Sequence, residues 1–429
     1  MQATINLRDK AQEALALMTA AGFDQAQVTA LHTQLDELNV NHNEPSLLRS
    51  TESHKLMLLG LVDGRVASTE MADLSADAMR ERMAALVDDA RSSPRDDANA
   101  VSSGQAANIV QGPQSGDREL MADKVAEMLA FRAKNTPKMM VDEGDAKHTL
   151  RRWHTLTTGG SDIAASIGCY SMGAFGTARD GAKSSSFNYT GGDTEDLSRL
   201  PAPEYFGIGQ MLRDTERMIE TKPAGGKFVG DVVLTPNAVA SLLGWLQGQL
   251  SDMQLISGSS LYRESVGQAI ASPLLTLRSR FNAPGVAAVS SDGFVTPDVT
   301  IVDKGRLMSL TPSLYGSRKT GLKHVPVASD GWDIAAGTTP LAEMVGGVKR
   351  GALVGRLSMG SPGANGNFSG VIKNSFLIEG GELGTALSEV MISGNMAQML
   401  RDIVAVSTEV IDSGGTRLPW IRIGNLHFS

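Results

Sequence analysis

Histidine spacing decides whether this chain could hold a catalytic zinc ion. Such an ion needs three or four His, Cys or carboxylate ligands at one point, and catalytic sites usually place two His on one helix face. The seven histidines lie at positions 32, 42, 54, 148, 154, 324 and 427. Only His148 and His154 are close in sequence, and the Gly and charged residues before them indicate a loop entering a strand. We expect no metal in this chain, since isolated His pairs are usually polar surface residues.

Two glycine-rich stretches resemble phosphate-binding loops only in part. The run G-T-A-R-D-G-A-K-S at 176–184 has Ala182 between the second Gly and the Lys, whereas a phosphate loop needs that Lys directly after the Gly. Its Asp180-Gly181 pair is typical of a hairpin turn. The G-I-G run at 207–209 lacks the third Gly of a dinucleotide loop and follows no predicted strand. We therefore predict no nucleotide site in either stretch.

The sequence also contains no motif that indicates nucleophilic catalysis. The chain has no Gly-x-Ser-x-Gly elbow, and no pattern marks Cys169 as a nucleophile. A lone Cys of this kind usually fills apolar space. Because Cys169 is the only cysteine, an intrachain disulfide is impossible, which fits a reducing compartment.

Length and charge limit the other classes of function. The 429 residues suffice for two domains. Residues 223–429 hold 16 basic and 15 acidic side chains, against 23 and 32 in residues 1–222, so the first half is acidic and nucleic acid is an unlikely partner. The uncharged segment 232–251 contains Pro236 and Gln247, so we interpret it as a strand and a buried helix, with no membrane span. Residues 1–20 show no secretory signal, and we expect a cytoplasmic protein.

The sequence predicts an α+β fold in two domains, 1–222 and a strand-rich domain over 223–429. Apolar spacing predicts a first helix between Asn6 and Gly22 and a second one capped by Ser75. The polar stretch 92–116 is predicted to be a long loop. In the second half, a strand at 228–234 leads into a helix that Thr235 can cap, with Pro236 at its first position. The junction is expected at 222–226, K-P-A-G-G.

Several ordered segments of the second half resemble the TldD/PmbA family, which is known for peptide-processing proteases and for proteins once described as modulators of DNA gyrase. They are G-S-S-L-Y-R at 258–263, Y-G-S-R-K at 315–319, N-G-N-F-S at 365–369, I-E-G-G-E at 378–382 and S-E-V-M-I-S-G-N at 388–395. The resemblance covers about residues 232–428. In the first half only the pattern of helices and strands is similar.

The resemblance also identifies what is missing. Catalytic, TldD-type members carry His-Glu-x-x-x-His on the helix after the first strand of this domain, with a later Cys completing the zinc site. The corresponding helix here has Ala240 and Ser241 in place of His-Glu, and Trp245 in place of the second His. Residues 223–429 contain no Cys. Ala and Trp offer no lone pair to zinc, and Ser241 is a poor general base. This absence is what the TldE/PmbA type shows.

By this resemblance, the chain is a non-catalytic subunit that forms a dimer with a TldD-type subunit carrying the zinc, and the two enclose a cavity for unfolded peptides. The isolated chain could also form a homodimer. Two other interpretations stay open: a stand-alone peptide- or protein-binding protein related to the gyrase modulators, or a metalloprotease with an unrecognised ligand set. Whether the chain is itself an enzyme is therefore open, and we expect it to be inactive alone.

Four residues in the family-like segments are candidates for contacts with substrate or partner: Tyr315, Arg318, Glu389 and Asn395. A guanidinium suits fork-like recognition of a peptide carboxylate or carbonyl, and Asn395 could donate to and accept from an extended backbone. The alternative is structural, with Arg318 paired to Glu389 and Asn395 capping the next helix.

Overall fold

The computed structural model describes residues 5–328, 331–358, 360, 362–388 and 390–429. Helices and strands are mixed along the chain, and the strands form two sheets, so the predicted α+β class is confirmed. The first sheet uses strands from residues 25–194, and the second uses strands from residues 221–428.

The first half builds an eight-stranded sheet with the path β3-β2-β1-β5-β6-β4, and β7 and β8 both pair with β6. A short 3-10 helix at Ala202–Gly207 precedes its last α-helix. Its elements are α1 (Leu7–Ala21), β1 (Gln25–Asn41), β2 (Glu44–Val62), β3 (Arg65–Met71), α2 (Ala76–Ser92), β4 (Ala106–Gln111), α3 (Arg118–Asn135), β5 (Met139–Thr157), β6 (Asp162–Asp180), β7 (Lys183–Ser184), β8 (Asn188–Thr194) and α4 (Ile208–Arg217).

The second half builds a fourteen-stranded sheet in which β10 lies between β15 and β22. Its elements are β9 (Thr221–Lys222), β10 (Phe228–Leu234), α5 (Pro236–Leu250), α6 (Asp252–Ser257), β11 (Leu277–Ser279), β12 (Val299–Asp303), β13 (Arg306–Leu307), α7 (Leu314–Thr320), β14 (Trp332–Ile334), α8 (Leu341–Gly346), β15 (Arg350–Val354), β16 (Arg356–Ser358), β17 (Asn367–Lys373), β18 (Phe376–Glu379), β19 (Glu382–Leu387), β20 (Met391–Asn395), α9 (Met396–Arg401), β21 (Ile403–Asp412) and β22 (Thr416–Phe428).

Local signals explain the ends of the first helix. The Asn6 side chain accepts hydrogen bonds from the amides of Arg8 and Asp9, which satisfies donors that a helix start leaves open. Gly22 follows the helix with φ 101°, a conformation that favours glycine. Ser75 caps α2 in the same way as Asn6 caps α1. The predicted bounds of α1 and the predicted start of α2 are confirmed.

The apolar stripe of α5 is buried as its spacing predicts, and it packs with β10 and β22 in the main core of the second half. Its members are Val239, Leu242, Leu243, Leu246 and Leu250. Thr235 occupies the cap position, but its hydroxyl donates to the carbonyl of Gly355 at 2.9 Å and makes no bond to the helix. The helix is therefore oriented by its apolar stripe and by Pro236 at its first turn.

Two loop predictions are wrong. The stretch 92–116 contains β4, which pairs in parallel with β6 over six residues. Its alternate side chains are exposed, including Val110 at 68%, so it lacks the apolar clustering that indicates a strand. The stretch before His154 is part of the nineteen-residue strand β5. Gly and charged residues are accommodated there because β5 pairs on both sides, with β1 and β6.

The two histidines of β5 have separate partners. Nε2 of His148 lies 2.9 Å from the carbonyl oxygen of Pro113, and Nε2 of His154 lies 2.6 Å from a carboxylate oxygen of Asp162. Six residues along a strand span about 20 Å, so the two imidazoles do not meet.

The position of the domain boundary stays a prediction. The last residues before it, Thr221–Lys222, pair with β19 of the second sheet, and Ala224 packs in the core of that half. No helix in the described part of the chain is both long enough and apolar enough to cross a membrane.

Candidate functional site

The outward face of α5 is the place where the family resemblance would put zinc ligands. Burial of the apolar stripe turns Ala240 and Gly244 to the surface and leaves Ser241 and Trp245 half-buried. This face therefore presents a methyl group, a hydroxyl and an indole. None of these groups is a ligand that zinc sites normally use.

A loop at residues 363–367, here called the Asn-Gly loop, lies against this face. The indole N–H of Trp245 donates to the carbonyl of Gly363 at 3.4 Å, and the Gln249 amide donates to the carbonyl of Ala364 at 3.0 Å. The Trp245 ring also meets the ring of Tyr262 edge-on, with centroids 6.2 Å apart. Burial raises the pKa of Tyr262 to about 12, so this phenol stays neutral. Trp245 thus acts as a packing anchor for the loop.

Asn395 holds the same loop from the other side. Its Nδ2 donates to the carbonyl of Asn365 and to Oδ1 of Asn367, both at 2.8 Å. Its Oδ1 accepts from the amide of Gln398 at 3.1 Å, so Asn395 caps α9. This contact is the one expected if Asn395 has a structural role as the cap of the next helix.

Gly366 lies between the two anchors. Its φ of 83° favours glycine, and an added Cβ would lie 3.1 Å from the Trp245 ring and 3.2 Å from the Asn395 side chain. The close approach lets the loop fit between α5 and the start of α9. Trp245 and Asn395, which are 150 residues apart in sequence, therefore contribute to one surface.

Tyr315 and Arg318 lie on α7 and contact the first half of the chain. The Tyr315 hydroxyl donates to the Asp96 carboxylate at 2.8 Å, and Nη2 of Arg318 donates to the carbonyl of Asp97 at 2.6 Å. Nζ of Lys319 lies 2.8 Å from the same Asp96 carboxylate. These contacts hold α7 on the loop after α2, which favours a structural role for both residues. Glu389 lies outside the described residues.

The α7 contact makes the stability of the chain sensitive to acid. The pKa of Asp96 lies at about 2, below its usual 3.8, because Lys319 donates a hydrogen bond to the carboxylate, as do the Ala98 amide and Tyr315. A carboxyl group with a lowered folded-state pKa adds stability above its unfolded pKa and loses it as pH falls through the folded pKa. We expect this contribution to disappear between about pH 4 and pH 2.

The variant Asp96→Asn cannot titrate, so its melting temperature should fall less steeply over that range than the melting temperature of the parent chain. Melts followed by circular dichroism from pH 5 to pH 2 measure the two slopes. Asp89→Asn, on the exposed face of α2, is the matched control and should follow the parent. Equal slopes for all three proteins would contradict the assigned role of Asp96.

Sequence reasoning gave no role to three residues of this surface: Gln249, Asn365 and Asn367. The segment 365–369 stood out as family-like, but its contact with Trp245 and Asn395 depends on the packing of α5 and α9. The available signal was Gly366 between two Asn residues, a composition that favours a tight turn.

Comparisons with known proteins agree with this architecture. The family model of the PmbA/TldA metallopeptidase C-terminal domain matches residues 226–429. A curated relative, Metalloprotease PmbA of Escherichia coli O157:H7, is 27% identical over 238 residues, which is 53% of this chain and 52% of the relative. The match thus spans about half the length of that relative.

Solved structures extend the likeness in fold to the whole chain. TldE from Thermococcus kodakarensis has a TM-score of 0.82 at 18% identity, covering 98% of this chain and 100% of that one. A proposed modulator of DNA gyrase from Bacteroides thetaiotaomicron has a TM-score of 0.83 at 20% identity, covering 98% of each chain. At these identities the structures establish the shared fold alone.

A metallopeptidase-like domain is thus built on the second sheet. Residues 226–429 form a domain of the PmbA/TldA metallopeptidase C-terminal type, which agrees with the resemblance of the second half to the TldD/PmbA family.

Proposed function

We propose that this chain is the non-catalytic, TldE/PmbA-type subunit of a cytoplasmic two-subunit metalloprotease that processes unfolded peptides. A TldD-type partner would supply the zinc ion and the His-Glu motif. The observation that supports this proposal is the outward face of α5, which presents Ala240, Ser241 and Trp245, the residues that the family resemblance assigns to the motif positions. Such a face can support a shared cavity but offers zinc no ligand set.

The Asn-Gly loop gives this subunit a surface for an extended peptide. Its position is fixed by Trp245 and Gln249 on one side and by Asn395 on the other. A loop held in this way keeps main-chain and Asn groups in place, so a peptide would meet a surface that needs little reordering. The substrate contacts are therefore proposed for this loop, with α7 positioning the two halves.

A stand-alone peptide- or protein-binding protein is the second candidate. It is favoured by the fold shared with proteins described as proposed modulators of DNA gyrase, from Bacteroides thetaiotaomicron and Thermotoga maritima. A non-catalytic α5 face is equally compatible with it. The two candidates differ in whether a zinc-bearing partner is required.

Co-purification separates the candidates. A tagged form of this chain, co-expressed with the TldD-type protein of the same organism, should elute with it in a 1:1 complex that binds zinc and cleaves an unstructured peptide. A partner variant with its first motif His replaced by Ala is the control, and it should assemble but not cleave. If this chain elutes alone, or elutes as a homodimer that binds the peptide with full affinity, the binding protein is favoured and the subunit proposal is overturned.

A further inference from the structure

Two histidines far apart in sequence face each other in the first sheet. The β1–β2 hairpin pairs His32 with His54, and their rings stack with centroids 4.3 Å apart and planes 4° apart. Glu52 lies two residues before His54 and therefore on the same face of β2. Its carboxylate oxygen is 2.7 Å from Nε2 of His32. Three side chains with metal-binding atoms thus meet on one side of the sheet.

The distances allow one ion to contact all three. One ligand atom from each of His32, Glu52 and His54 lies within 4.8 Å of the other two. Zinc bonds of about 2.0–2.1 Å in a tetrahedral site would place the ligand atoms about 3.4 Å apart. The change in distance is small, and the Glu52 side chain can supply part of it, since 58% of its surface is accessible. Because an imidazole lone pair lies in the plane of its ring, the parallel rings also require the His54 ring to turn toward the ion. The His32 side chain, 13% exposed, is held in place by its neighbours.

The two basic side chains next to the cluster of His32, Glu52 and His54 bind to other groups. Arg152 lies opposite His32 on β5, but its guanidinium donates to Oε1 of Gln34 at 3.1 Å. Lys55, next to His54, points to the other face and donates to Glu70 on β3. A simple ion pair between His32 and Glu52 would use only two of the three residues.

We propose that His32, Glu52 and His54 form a binding site for a divalent ion of the zinc class, separate from the α5 face. Two imidazoles and a carboxylate are a ligand set that proteins use for zinc, with one position left open. Glu52 also lines a groove of about 910 Å³, together with Gln34, Asp36 and Arg118.

A bound ion would stabilise the outer part of the hairpin. Strand β3 pairs with β2 only from Leu56 to Val62, so among the described strands residues 44–55 pair with β1 alone. An ion held by His32 from β1 and by Glu52 and His54 from β2 would cross-link the two strands in this region. The proposal is independent of the subunit function, because none of these residues belongs to the second half.

Zinc titration of the metal-free full-length chain tests the site. Isothermal titration calorimetry should show one Zn²⁺ per chain, and Mg²⁺ should not bind, because it prefers an octahedral set of oxygen ligands. His32→Ala and His54→Ala should each weaken zinc binding roughly 10-fold or more, since even an outer-shell partner typically contributes 10–100-fold. Amide hydrogen exchange in residues 44–55 should slow when zinc is added.

The matched control is His427→Gln, an exposed histidine on β22. It should bind zinc as the parent chain does, while His32→Ala/His54→Ala should lose the site. Circular dichroism melts without zinc check that the double variant folds, and Glu52→Gln tests the third ligand if it does not. Absence of binding at 100-fold excess zinc, or unchanged binding in both the double variant and Glu52→Gln, would overturn the proposal.

Discussion

The purified chain, tested without a partner, should cleave no unstructured peptide and should hold no zinc on α5. Hydrolysis of a peptide bond by a zinc protease needs a metal to activate water and a general base to take its proton. Ala240, Ser241 and Trp245 provide neither function, and Trp245 is already engaged with the carbonyl of Gly363. The expected difference is nearly complete, with activity at background for this chain and clear cleavage for the mixed complex.

Elemental analysis of the same sample checks the metal. Zinc that is present in the parent chain but lost in His32→Ala/His54→Ala belongs to the site on the first sheet. Zinc that survives in that double variant, together with cleavage that a chelator stops, would contradict the prediction. Such a result would indicate a metalloprotease with an unrecognised ligand set. Because its metal ligands would not be the α5 residues, Ala240→Glu should then leave the activity unchanged.

Short-range signals predicted much of the fold. Caps at Asn6 and Ser75 and the left-handed Gly22 mark helix ends through contacts within a few residues, so one sequence is enough to find them. Strand β10 and helix α5 were equally accessible, because a run of Val and Leu followed by Thr-Pro is a local pattern. Edge strand β4 was missed because it buries too little to leave an apolar pattern.

The candidate sites depend on contacts that sequence spacing does not show. His32 and His54 become neighbours only through the turn at His42-Asn43, whose φ values of 51° and 69° suit a two-residue hairpin. In the sequence only His148 and His154 lie close together, so the register that pairs the imidazoles of His32 and His54 was not predicted. Trp245 and Asn395 also meet at the Asn-Gly loop only because folding brings together segments that are far apart in sequence.

The largest loss of stability is expected for Phe376→Ala. Phe376 is 2% exposed and packs with Met218, Leu353 and Ala386. Met218 directly follows α4 of the first half, whereas Leu353 and Ala386 lie on β15 and β19 of the second sheet. Removing a buried phenyl ring leaves a cavity and costs about 3–5 kcal/mol of unfolding free energy. The guanidinium of Arg217 lies 4.3 Å from the ring centre, and losing that contact adds to the cost.

Urea denaturation of the parent chain, Phe376→Ala and the conservative control Phe376→Leu measures this effect. The control fills most of the cavity, so its loss should be about 1–2 kcal/mol. Three of the four Trp residues, at 245, 332 and 420, lie in the second half, so fluorescence reports mainly on that sheet while circular dichroism reports on both. If Phe376 holds the end of α4 against the second sheet, the Ala variant should shift the fluorescence transition to lower urea.

The variant Arg217→Ala should lower the unfolding free energy by only about 0.5–1 kcal/mol, because the contact of Arg217 with the ring is at the surface. An Ala variant as stable as the Leu control would mean that the ring contributes little to this contact. The two halves would then be held together elsewhere, for example by the α7 contact on Asp96 and Asp97 or by the hydrogen bond from Gln111 to the carbonyl of Ala283.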